Sequence, residues 1–147
     1  MKDVHIVVGV LAIALNSAAG LYGAWNWWRV RTSIWFWRLL RAGQVAVVIQ
    51  AALGGVLVLL GYKPSELHVI YGLLPLLVSF IAEQLRVSSA QMVLDSRGYR
   101  SAAEVGKLPE GEQRGVVTAI VHREMGVMVL AALVIVVLLA RAAMTAG

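Results

Sequence analysis

The chain of 147 residues contains no cysteine. That absence excludes disulfides, thiolate metal sites, dithiol exchange chemistry and a haem attached covalently through c-type links. Charge is also sparse, at 14% of residues. What fills the space is apolar: 60% of the chain is hydrophobic, and the mean hydropathy of +0.79 belongs to the membrane class, with room for one domain.

Four runs, at 4–25, 42–61, 67–85 and 125–140, are long and apolar enough to cross a hydrocarbon core that needs about 20 residues of helix. Lipid offers no water to unpaired backbone groups, so each run must be helical. The expected fold is all-α: an antiparallel four-helix transmembrane bundle with helices near 4–25, 34–61, 66–95 and 109–141 and a loop at about 96–108.

Cationic residues in short loops stay on the cytoplasmic side. Arg29, Arg31, Arg38 and Arg41 lie between the first and second runs, and Arg86, Arg97, Arg100, Lys107, Arg114 and Arg123 between the third and fourth. Only Lys2, Lys63 and Arg141 remain for the other face, so both termini are expected outside, in the cytoplasmic membrane of a bacterium or archaeon. The first run follows a neutral Lys2–Asp3 pair and precedes a cluster of arginines, the reverse of a secretory signal, and is read as retained. Topology therefore accounts for the net charge of +5. The partners expected are the bilayer with its anionic head groups and other membrane subunits or further copies of this chain, not nucleic acid.

Punctuation between the runs agrees. Trp25, Trp27, Trp28, Trp35 and Trp37, with Phe36, flank the first cytoplasmic turn and read as an interfacial belt. Pro64 stops the second helix, Ser65 caps the third with Glu66 in its first turn, Pro75 should kink it, and Pro109 opens the fourth.

The chain also echoes itself. "HIVVGVL" at 5–11 and "HVIYGLL" at 68–74 repeat a histidine, a glycine four residues on and a closing leucine, 63 residues apart. "GQVAVV" from Gly43 and "GVMVLA" from Gly126 repeat more faintly. A duplicated helical hairpin follows, its two-span copies related by a pseudo-twofold axis along the membrane normal. His5 and His68 then face each other at the outer helix ends. Two neutral imidazoles are what six-coordinate haem iron requires, and Gly9 and Gly72, one turn deeper on the same faces, would clear space for a porphyrin. The plainer reading leaves both histidines at the interface in water, with the glycines serving helix packing. A zinc or copper site needs more ligands than the nearby Asp3 and Glu66 offer.

On helix count and the two His-x-x-x-Gly elements, His5 with Gly9 and His68 with Gly72, the chain resembles small four-helix membrane cytochromes of b type, including the four-helix halves of haem A synthase and the haem-bearing anchors of respiratory dehydrogenases. The resemblance implies haem b held by His5 and His68, electron transfer within a respiratory complex or with a quinol, and an electron-transfer or accessory subunit rather than a stand-alone enzyme. A second bis-histidine haem is excluded, because only His122 remains.

His122 in "VHREMG" reads as an interfacial cluster or, more sharply, as a proton relay beside Glu83 paired with Arg123 or Arg86. Asn16, Gln50 and Ser79 fall near mid-membrane, where they bond between helices or line a quinone pocket. A cofactor-free structural or assembly subunit is the alternative class. A small multidrug-type transporter fits poorly, since Glu83 is near a helix end. The ten-to-three split of cations generates a test: a topology reporter fused at the C-terminus should read external, and a cytoplasmic reading would reverse the orientation.

Overall fold

The computed structural model describes residues 1–146. It is 84% helical, with no strand among the described residues. The elements are α1 (Lys2–Trp28), α2 (Ile34–Leu59), α3 (Glu66–Ser96), α4 (Ala102–Val105) and α5 (Glu110–Met144). All but α4 are long and apolar enough to cross a membrane. The shortest of these, α2 with 26 residues, is about 39 Å long at 1.5 Å per residue, against a hydrocarbon thickness of about 30 Å.

Local chemistry sets the ends. Ser65 Oγ accepts a bond from the backbone N–H of His68 at 3.2 Å and so caps α3, with Glu66 in the first turn. Pro75 is buried inside α3, which runs through it as one continuous helix. α3 and α5 overhang at one end, and the connection between them contains a short helix where the sequence suggested plain loop. Val105 of α4 is buried there with Val93, Leu94 and Val116. This apolar knot gives the overhanging turns a small core of their own.

The long helices meet where glycine on one faces a large side chain on the other. A methyl group at Gly43 would stand 2.9 Å from Asn16 Nδ2, one at Gly20 would stand 2.6 Å from Leu133 Cδ2, and one at Gly126 would stand 2.8 Å from Trp27 Nε1. As numbering rises along α1 these partners fall along α2 and α5, so neighbouring helices run antiparallel. Close approach of this kind replaces the hydrophobic drive that lipid removes.

α5 packs along both α1 and α3, and α1 packs along α2, whereas α2 and α3 touch sparsely. A twofold relating the hairpins would make the α1–α5 and α2–α3 seams alike, so the packing departs from that symmetry. Polar residues hold the open seam at the tryptophan-rich end. Glu83 accepts bonds from Arg41 of α2, from Gln44 Nε2 at 3.0 Å and from Arg86 Nε at 3.0 Å. Arg86 also reaches Glu124 of α5 at 3.9 Å and lies 6.0 Å from the centre of the Trp37 ring. Of the two partners proposed from sequence, Arg86 is present, while Arg123 donates instead to Met92 Sδ at 3.1 Å. Arg41 was not foreseen, because its place beside Glu83 depends on how two barely touching helices tilt.

Glu83→Ala should therefore lower the thermal midpoint in detergent by an amount equivalent to about 1–2 kcal/mol, charge-assisted bonds being stronger than neutral ones but here partly open to solvent. Glu124→Ala, whose single contact is long, should cost clearly less. Equal effects would mean that Glu83 does not hold the seam.

Candidate functional site

Helical spacing builds the site from two stripes. On α1, Lys2, His5, Gly9 and Asn16 recur at intervals that share one face, as do His68, Gly72, Pro75 and Ser79 on α3. The structure brings His5 and His68 together: their ring centroids are 6.1 Å apart, with planes inclined at 59°.

His68 is held from α5. Its Nδ1 lies 2.9 Å from the carbonyl oxygen of Ala142. A carbonyl only accepts, so Nδ1 carries the proton, and in the neutral ring Nε2 keeps a free lone pair. Ser65, which caps the backbone of His68, donates its own hydroxyl to the carbonyl of Thr145 at 2.6 Å. Two bonds thus tie the start of α3 to the end of α5.

His5 is held differently. Its Nε2 lies 3.2 Å from Gln50 Nε2 of α2, while His5 Nδ1 and Gln50 Oε1 are both buried without a hydrogen-bond partner among the described residues. Turning the amide over would let Gln50 Oε1 accept from Nε2–H, but His5 Nδ1 would still face nothing. A buried polar atom left in this way costs about 1–3 kcal/mol. Gly54 makes room for the ring, since a methyl group there would stand 3.3 Å from His5 Cε1. Sequence reasoning missed Gln50 and Gly54 as neighbours of His5. The antiparallel register that sets Asn16 against Gly43 carries residue 50 to Gly9 and residue 54 to His5, and helix packing rather than any sequence signal fixes that register.

Both histidines open onto a cavity of about 560 Å³ formed by all four long helices, within the range of small-molecule and cofactor sites. The two motif glycines differ. A methyl group at Gly72 would meet no atom of the described residues within 4 Å, so this position faces open cavity. One at Gly9 would stand 2.8 Å from Gln50 Nε2, so the amide occupies the space beside it. Towards the sparse seam the walls are Gly55 and Val58 of α2 and Val69 and Leu73 of α3, with the three larger side chains about half exposed. The cavity therefore opens sideways, to the surface that lipid would cover.

The remaining candidates lie elsewhere. His122 stacks on Trp27 with centroids 5.0 Å apart and planes 10° from parallel, and its carbonyl accepts from Trp27 Nε1 at 3.1 Å, at the end remote from the cavity. Asn16 and Ser79 do not line the cavity. Neither makes the interhelical bond expected of it: Asn16 Nδ2 donates to Ala12 in its own helix at 2.8 Å, and Ser79 Oγ is buried without a partner among the described residues. No group of three or more His, Cys, Asp or Glu able to hold a metal ion occurs among the described residues.

Comparison with known proteins gives no match to any family model, curated protein or solved structure.

Proposed function

We propose that the protein is a membrane haem protein of b type, in which His5 and His68 would hold the iron within an antiparallel four-helix transmembrane bundle. The observation that carries this reading is the pair of imidazoles 6.1 Å apart at one apolar cavity. Imidazole nitrogen binds metal at about 2 Å, so this separation suits one ion between the rings. Among the described residues only these two side chains offer ligands there, and a porphyrin would supply the remaining positions.

The residues fit the group at three points. The Ala142 carbonyl fixes the proton of His68 on Nδ1 and leaves Nε2 to coordinate, the outer-shell arrangement usual for metal-binding histidines. His5 holds a buried nitrogen that lacks a partner. Gly72 leaves clear the place where a side chain would meet the ring plane. At His5, coordination requires either that the Gln50 amide move from Nε2 or that Nδ1 be the ligating atom.

Haem, when bound, supplies one-electron chemistry. The chain orients the ligand through the two imidazoles, excludes water with the apolar walls and, through burial, tunes the ease of reduction. The reading includes a duplicated hairpin, histidines at the outer face with both termini outside, a bacterial or archaeal cytoplasmic membrane, and electron exchange within a respiratory complex or with a quinol. The sparse α2–α3 seam favours a second reading, a cofactor-free assembly subunit that accepts a partner's helix there.

The visible spectrum of the purified protein separates these readings. A low-spin haem spectrum is expected, and His5→Ala and His68→Ala should each abolish it. Gly72→Leu should do so by filling space, without touching a ligand, while His122→Ala should leave it unchanged. A protein that stays colourless when expressed with excess haem would leave the assembly subunit as the function.

A further inference from the structure

We propose that the cavity takes an amphiphile whose anionic end pairs with Lys2 while its apolar body reaches past Gly72 towards the α2–α3 seam. The inference rests on the haem reading, where it places the propionates at the rim beside Lys2.

Lys2 stands three residues before His5 on the same face of α1, about 4.5 Å nearer the helix end. It is the single Lys, Arg, Asp or Glu among the residues that line the cavity. Its ammonium lies 5.5 Å from the centre of the Tyr62 ring. No carboxylate of the described residues forms an ion pair with it, and the four ion pairs present all lie elsewhere.

Polarity therefore falls in order from the rim inward: one cation, then two imidazoles, then apolar walls such as Val10, Ile13, Leu73 and Leu139. A ligand that matches this gradient carries its charge at one end. The sign follows from the same residues. Among the described residues, an anion meets an ammonium without an ion-pair partner and no lining carboxylate to repel it, whereas a cation meets Lys2 with nothing to offset the repulsion.

Haem and its dimethyl ester share ring and iron and differ in whether the two carboxylates are free, so titrating the full-length protein in detergent with each isolates the anionic end. The wild-type protein should bind haem roughly fivefold more tightly than the ester, the scale of an ion pair partly open to water. Lys2→Met should equalise the two affinities, Lys2→Arg should keep the preference and Lys2→Glu should reverse it, with the low-spin spectrum retained in each. Added salt should shrink the wild-type preference. Equal binding of both ligands by the wild-type protein, or a preference that survives Lys2→Met, overturns this inference and leaves the haem reading intact. Failure of both ligands to give a low-spin spectrum overturns the haem reading and this inference with it.

Discussion

Everything in this molecule depends on how closely its helices can approach. Between apolar helices in lipid there is no water to expel, so association relies on dispersion contacts and a few polar bonds. Here those contacts come from pairing absent side chains with large ones. Gly20 receives Leu133, Gly43 receives Asn16 and Gly126 receives the Trp27 indole. These pairs fix α1 against α2 on one side and α5 on the other. Because α1 carries His5, they also set the height at which an imidazole meets the cavity.

The same economy explains why the cavity exists. α1 and α3 both lean on α5, and α2 leans on α1, which leaves the fourth seam without a comparable row of interlocking residues. At one end Glu83 draws Arg41, Gln44 and Arg86 together and closes it. At the other, Gly54, Gly55 and Gly72 offer no bulk to fill the gap. A latch at one end and missing side chains at the other leave the cavity at the end where the two histidines stand.

The spans were legible in the sequence because length and hydropathy alone decide them. The seams were not, because they depend on which glycine meets which side chain. That is why the bond between His5 and Gln50 was missed, and why Gly9 and Gly72, alike in their motifs, differ in the structure: one packs on an amide and the other faces the cavity. Glu83 shows the same limit. Its i+3 partner Arg86 follows from helical geometry, but Arg41 lies 42 positions away and reaches it only through the tilt of α2. The four-residue α4 escaped notice because a single turn has too few positions to show a period. His5 and His68, expected near one another from the repeated motif, have ring centroids 6.1 Å apart, while the packing around them departs from the twofold which that motif suggested.

The sideways opening between α2 and α3 changes what an affinity means for this protein. A ligand that arrives through lipid is concentrated or diluted by the bilayer before it meets the site, so its occupancy follows the amount dissolved in the membrane rather than the amount in water. Exchange then scales with lateral diffusion and with the volume of lipid per molecule. Adding lipid or detergent at a fixed amount of such a ligand would weaken the apparent grip with no contact altered.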